Sequence, residues 1–190
     1  TYLSAYMYQA GSAEYIDRVT QYKITGTADA DFTTRQINIT DDVKTVVTYY
    51  DTTGEKMTFA VEYKGNAAGL EMPRYAAIYT YKPNSDMLHN VARYEINGDF
   101  TITDINNPAA RRPVLEGHTL KSRTFYRQRD DEFVDFAYSY KGASGSETID
   151  TVSVYFYGAD ETRASGASDS DLTNRVNVYK YYAGINVAPL

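Results

Sequence analysis

The sequence predicts an all-β protein with internally duplicated antiparallel units and an extra C-terminal strand. The two units are expected to be either tandem β-sandwich-like units or parts of one large β-barrel. Three observations lead to this prediction. Polar and apolar residues alternate along most of the 190-residue chain, turn-forming sequences interrupt the alternation at short intervals, and several segments recur 72 to 77 positions apart.

The alternation is clearest between positions 57 and 63, where every second residue is apolar or aromatic. Successive side chains of a strand point to opposite faces, so this pattern predicts a strand with one buried face. Sequences such as Asp51–Gly54 and Lys82–Asn84 predict turns between strands. Further strands are predicted near Thr33–Thr40, Lys44–Tyr50, Tyr75–Tyr81, Thr119–Arg127, Val134–Tyr140 and Thr151–Tyr157.

Pairs of similar segments carry the internal repeat. Arg18–Gly26 resembles Asn90–Gly98, and the central tyrosines of these two segments lie 72 positions apart. Glu55–Gly65 resembles Glu132–Gly142 at a spacing of 77 positions, and a further matching pair follows at a spacing of 76. Collinear matches at a nearly constant spacing predict that the same strand-rich unit occurs twice.

The segment that opens each unit occurs a third time, at Arg175–Tyr182. The chain is therefore divided into an N-terminal arm or edge strand (1–14), a first β unit (15–85), a second β unit (86–174) and a C-terminal strand (175–190). Because an unpaired apolar edge promotes aggregation, the last strand is expected to pair. It either closes a barrel against the first unit, completes a sheet in the second unit, or adds to the sheet of a neighbouring subunit.

Tyrosine dominates the aromatic residues, with 20 Tyr against 7 Phe and no Trp. Tyrosine suits half-exposed strand faces and subunit interfaces, because its ring packs while its hydroxyl group stays in contact with water. The N-terminal arm is apolar and tyrosine-rich, so we expect it to be docked, either within the fold or on a partner. The residues predicted at subunit contacts are Tyr2, Leu3, Tyr6, Met7, Tyr8, Val176, Val178, Tyr179, Tyr181 and Tyr182.

The sequence predicts no catalytic, cofactor-binding or metal-binding residues. The chain has no Cys and no G-x-S-x-G motif, and its only histidines are His89 and His118. The adjacent carboxylates Asp41–Asp42 and Asp130–Glu132 are interpreted as turn residues, since neighbours along a strand point to opposite faces. The acidic loop Gly158–Asn174 does not follow the calcium-binding pattern of an EF-hand.

The charge and the hydropathy of the chain limit the classes of partner that we expect. The net charge of −6 argues against binding to nucleic acid, which needs clustered Lys and Arg. No apolar run approaches the ~18 residues of a membrane-spanning helix. We therefore predict a non-enzymatic structural subunit that self-assembles as a homo-oligomer or larger assembly, in a virion, a phage tail or an extracellular filament. The alternative is a ligand-binding module that holds an apolar small molecule in a barrel or a glycan on a tyrosine-lined face.

Overall fold

The computed structural model describes residues 2–24, 42–65, 67–127, 133–168 and 170–181. These residues form twelve strands and no helix, which confirms the predicted all-β class. The strands are β1 (Tyr2–Tyr8), β2 (Ile16–Lys23), β3 (Val43–Tyr50), β4 (Met57–Lys64), β5 (Met72–Tyr81), β6 (Leu88–Glu95), β7 (Ile102–Thr103), β8 (Arg112–Pro113), β9 (Thr119–Tyr126), β10 (Val134–Lys141), β11 (Thr148–Tyr157) and β12 (Thr173–Lys180). The strand predicted near Thr33–Thr40 lies outside the described residues.

Ten of these strands belong to one large antiparallel sheet, in the order β1-β2-β3-β4-β5-β6-β9-β10-β11-β12. The order follows the chain apart from β7 and β8, which form a separate two-stranded sheet that the sequence did not predict. Because β1 and β12 stand at opposite ends of the order, the described sheet is not closed. The barrel alternative therefore does not describe these strands.

Two compact units divide the chain. The first consists of Thr1–Ile78 and Glu95–Leu115, and the second of Tyr79–Tyr94 and Glu116–Leu190. The second part of the first unit is the connection between β6 and β9, which contains the β7–β8 hairpin. The division at 15–85 and 86–174 that the sequence suggests stays a prediction.

A buried apolar layer holds the first unit together. Its buried side chains come from β3 and β4 and are Val47, Tyr49, Phe59 and Val61. The rings of Tyr49 and Phe59 are stacked, with their centroids 4.5 Å apart. The chain after β6 covers the layer with Ile96, Phe100 and Ile102. The long connection therefore completes the core of this unit.

A buried arginine fastens that connection to β2 and β3. The Arg111 guanidinium donates from Nη1 to Asp17 Oδ1 at 2.8 Å and to the Ile105 carbonyl at 3.1 Å. Its Nη2 donates to the carbonyls of Tyr50 at 2.8 Å and Asp17 at 3.2 Å. The guanidinium carbon also lies 4.9 Å from the ring centre of Tyr49. One side chain thus joins three segments of the first unit.

A buried carboxylate does the same for the second unit. Asp135 on β10 accepts hydrogen bonds from Arg127 Nε at 2.9 Å and from Arg163 Nη2 at 2.6 Å. Arg163 belongs to the loop between β11 and β12, so Asp135 ties that loop to the sheet. The apolar residues packed there are Tyr157, Ala164, Ala167, Phe133 and Tyr155.

A glutamate in each unit caps the start of a strand. Glu71 Oε1 accepts a hydrogen bond from the backbone N–H of Lys44 at 2.8 Å, and Glu147 Oε1 accepts one from Leu120 at 3.0 Å. Burial raises the pKa of Glu71, but the backbone hydrogen bonds, led by that from Lys44, lower it below its usual value. The pKa of Glu147 is also lowered, mainly by the N–H of Leu120.

We expect replacing both glutamates by glutamine to flatten the acid dependence of stability. A carboxyl whose folded pKa lies below its unfolded value, about 4.3, stabilises the fold above that value, and the stabilisation is lost as the pH falls through the folded pKa. The urea concentration at the midpoint of wild-type unfolding should therefore decrease as the pH is lowered below about 4.3. The Glu71→Gln/Glu147→Gln variant should start lower and fall less. If the urea midpoints of both proteins depend equally on pH, the two carboxylates do not stabilise the fold in this way.

Candidate functional site: the two edges of the sheet

The N-terminal residues form one edge of the sheet. The sequence left open whether residues 1–14 are an arm or an edge strand, and the structure places residues 2–8 in β1, paired antiparallel with β2 of the same chain. No other described strand pairs with β1. Five predicted contact residues lie on this edge strand, and they are Tyr2, Leu3, Tyr6, Met7 and Tyr8.

The side chains of β1 are largely exposed. Tyr2 and Tyr6 are each 59% exposed, and Met7 and Tyr8 are also exposed, whereas Leu3 is half-buried. Monomeric proteins usually keep such contiguous apolar surface small, and larger patches mark interaction sites. The exposed tyrosines therefore make β1 a candidate contact surface.

Backbone groups alternate along β1 between the two sides of the strand. The N–H of Gln9 donates to the Tyr15 carbonyl at 2.9 Å, so Gln9 turns its backbone groups toward β2. In an antiparallel pair this direction alternates from residue to residue. The odd-numbered residues of β1 therefore face β2, and the outward-facing groups belong to Tyr2, Ser4, Tyr6 and Tyr8.

The other edge of the sheet is β12, which contains most of the segment predicted from the sequence as a third unit-opening strand. It pairs antiparallel with β11 of its own chain, so of the three pairings considered from the sequence the described structure has the one within the second unit. The N–H of Tyr181 donates to the Asp150 carbonyl at 2.9 Å. By the same alternation, Val176, Val178 and Lys180 turn their backbone groups outward.

Four of the predicted C-terminal contact residues are described. Val176, Val178 and Tyr179 lie on β12 and are exposed, with Val178 at 63%. Tyr181 follows β12 and is half-buried. Tyr182 lies outside the described residues. The described residues of the two predicted groups thus lie on or next to the free edge strands, one group at β1 and the other at β12.

Charge distinguishes the two edges. On β12, Arg175 forms a 2.6 Å ion pair with Glu161, and Lys180 lies 2.5 Å from Asp150. Hydrogen bonds from Lys180 and then from Lys141 lower the pKa of the Asp150 carboxyl. β1 carries no charged side chain along its seven residues. Charged residues on an edge strand discourage pairing with another chain, and β1 lacks this protection.

An aromatic strip in the second unit was not singled out from the sequence. We use this name for the half-buried residues Phe125, Phe136, Tyr138 and Tyr140. The rings of Phe125 and Phe136 are stacked 4.5 Å apart, and Tyr138 lies edge-on to both. Burial raises the pKa of Tyr138, and the nearby Tyr181 raises it further. The signal was present in the sequence, because three of these residues alternate along β10.

The two histidines lie in or near the second half of the sheet order, on or next to strands β6 and β9. His89 packs edge-on against Phe125 and His118 is buried. The described residues contain no group of three or more His, Cys, Asp or Glu that could hold a metal ion. Asp41 and the carboxylates 130–132 lie outside the described residues. No helix formed by the described residues is long and apolar enough to cross a membrane.

Comparison with known proteins gives no relative from which a function could be transferred. No family model matches the chain, and neither the curated proteins nor the solved structures give a significant match. The function must therefore be argued from the edges and faces of the sheet.

Proposed function

We propose that the protein is a non-enzymatic structural subunit that self-assembles through the edges of its sheet, in a virion or an extracellular filament. The observation that carries the proposal is the free edge of β1, which is seven residues long, uncharged and lined with exposed tyrosines. Natural sheets protect such edges with charges, proline, bulges or covering segments, because a free edge is a template for another strand. An edge left in this form is suited to strand addition.

The proposal of self-assembly is supported by an internal duplication, which we also infer. The β4–β5 hairpin pairs Phe59 with Ile78, and the β10–β11 hairpin pairs Phe136 with Val154 in the same register. Each of these hairpins has a register shift near the end of its first strand, immediately before Tyr63 in β4 and before Tyr140 in β10. Stacked ring pairs and capping glutamates recur at equivalent positions of both units.

The duplication also bears on the two edges. The β1–β2 hairpin pairs Tyr6 with Val19, and the β11–β12 hairpin pairs Tyr155 with Val176 in the matching register. β1 is thus similar to the strands that close a unit, and β12 to those that open one. Inside the sheet, strands of both types have a neighbour on each side. Both edges therefore resemble strands that have two neighbours inside the sheet, but the charged side chains of β12 disfavour a second partner there.

Light scattering over a range of protein concentrations tests the proposal. We expect a molar mass above that of the 21.4 kDa chain, rising with concentration. Tyr6→Lys and Val178→Lys place a charge on each edge, and at least one of them should lower the mass. Tyr15→Lys is the matched control, because Tyr15 is a comparably exposed tyrosine in the turn after β1. A wild type that stays monomeric at every concentration would contradict the proposal.

The aromatic strip favours a second candidate, a module that binds a glycan on an aromatic face. Aromatic rings present an apolar surface beside polar hydroxyl groups, which suits the mixed surface of a sugar ring. The version with an apolar ligand inside a barrel has less support, because the described sheet is not closed. Saturable changes in tyrosine fluorescence during glycan titration, abolished by Tyr138→Ala but retained in Tyr6→Lys, would favour this candidate over assembly.

A further inference from the structure

We propose that β1 pairs antiparallel with β1 of a second copy of the chain, about a two-fold axis at Ala5. This inference rests on the proposed self-assembly and specifies its partner and register. The resulting contact is isologous, since the same surface is used by both copies, so it joins copies in pairs, and a larger assembly needs further contacts. Four features of β1 support it: the absence of charge, the direction of its backbone groups, the symmetry of its sequence and the regularity of the strand.

The absence of charge selects β1 rather than β12. Pairing through β12 would bring Arg175 and Lys180, with their acidic partners Glu161 and Asp150, to the new interface. Desolvating such groups costs free energy that their mutual attraction does not always recover. β1 brings only tyrosine, leucine, serine, alanine and methionine. A β1–β1 contact therefore avoids this cost on both sides.

The direction of the backbone groups restricts the register. Antiparallel strands exchange hydrogen bonds between residues whose N–H and C=O groups point toward each other. In β1 those residues are the even-numbered ones, so an even-numbered residue must face another. An axis at Ala5 places Tyr2 opposite Tyr8 and Ser4 opposite Tyr6, which meets this condition. Among the registers that do so, it is the one that overlaps all seven residues.

The side chains are compatible with this register on both faces. Leu3 faces Met7 and Ala5 faces its own copy on one face, while on the other face Tyr2 is opposite Tyr8 and Ser4 is opposite Tyr6. Directly opposed side chains are the pairs that stabilise a sheet, and aromatic and apolar pairs are favourable. The sequence Tyr-Leu-Ser-Ala-Tyr-Met-Tyr is thus nearly palindromic in chemical character.

The shape of β1 is also suited to pairing. The register between β1 and β2 shifts once, where Met7 pairs with Arg18 and Tyr8 pairs with Ile16. The unpaired residue of this bulge is Asp17, which belongs to β2. β1 itself therefore carries no extra residue and keeps its alternation from end to end, whereas bulges on an edge strand hinder pairing.

Cysteine cross-linking tests the register. The chain has no Cys, so a single introduced cysteine can form a disulfide only between copies. At the axis, Ala5 forms a non-hydrogen-bonded pair with a Cα separation of about 4.5 Å, which a disulfide can bridge. We expect mild oxidation to convert Ala5→Cys mainly to a covalent dimer. Tyr2→Cys, on the same strand but far from its copy, and Val178→Cys on β12 should remain largely monomeric on denaturing gels.

A second pair of variants guards against misfolding of Ala5→Cys. Because Leu3 faces Met7, a mixture of Leu3→Cys and Met7→Cys should cross-link between the variants and not within either. Cross-linking of Val178→Cys alone, or of Ala5→Cys only when mixed with Val178→Cys, would overturn the inference. If no variant cross-links as expected but the wild type exceeds the monomer mass, the inference fails and self-assembly stands. A monomeric wild type would overturn both.

Discussion

Replacing Arg111 by methionine is expected to lower the free energy of unfolding by about 3–5 kcal/mol, the usual cost of removing one partner of a buried ion pair. The Arg111 side chain is 0% exposed, and Asp17 is only 14% exposed. Without the guanidinium, the Asp17 carboxylate stays buried with no counter-charge. The carbonyls of Ile105 and Tyr50 also lose their hydrogen bonds, and each unsatisfied buried group adds to the cost.

The neighbouring arginine gives a matched control for this experiment. Arg112 is exposed and donates to the nearby carbonyls of Arg111 and Ala109. Urea denaturation should therefore show a change within about 0.5 kcal/mol for Arg112→Met. The double variant Asp17→Asn/Arg111→Met should be less destabilised than the sum of the single variants, because neither charge is then left alone. Equal effects of Arg111→Met and Arg112→Met would contradict the structural role.

Replacing Asp135 by asparagine is expected to destabilise the protein by about 2–4 kcal/mol. Hydrogen bonds to charged groups contribute roughly 1.5–3 kcal/mol each, and Asp135 accepts them from two arginines. The carboxylate is only 3% exposed, whereas Arg127 and Arg163 are partly exposed and can turn toward water. Because water can solvate the two arginines in the variant, the expected decrease in the free energy of unfolding is smaller than the full contribution of two ion pairs.

Asp150 provides the comparison for Asp135. It also lies between two cations, Lys141 and Lys180, but its side chain is more exposed. Asp150→Asn should therefore change the urea midpoint much less than Asp135→Asn. Because Arg163 holds the loop between β11 and β12, proteolysis of that loop should also be faster in Asp135→Asn. A midpoint for Asp135→Asn no lower than that of Asp150→Asn would contradict this role.

The sequence predicted the strands well, because alternation is a local signal that survives in any sheet. Predicted Lys44–Tyr50 and Val134–Tyr140 correspond closely to β3 and β10. The sequence could not decide how the strands join, since an open sheet and a barrel have the same alternation. It also left the pairing of β1 and β12 open, because pairing depends on residues far apart in the chain.

The sequence pattern could not predict which polar side chains are buried. Arg111 and Arg112 are identical neighbours, yet one is buried and the other is exposed. The difference arises from Asp17, which lies 94 positions away and supplies the counter-charge. The residues predicted at subunit contacts were chosen from apolar alternation near the termini. The described ones lie on or directly after the edge strands, and their role as contacts stays a prediction.

Hydrogen exchange of the β1 amides, followed as a function of protein concentration, tests the claim of edge-mediated assembly most directly. The outward amides of Ser4, Tyr6 and Tyr8 have no strand partner in the described chain, whereas Ala5 and Met7 face β2. If copies pair through this edge, the outward amides should exchange more slowly as the concentration rises, and the inward ones should serve as an internal reference. Outward amides that exchange at the same fast rate at every concentration would contradict assembly through β1.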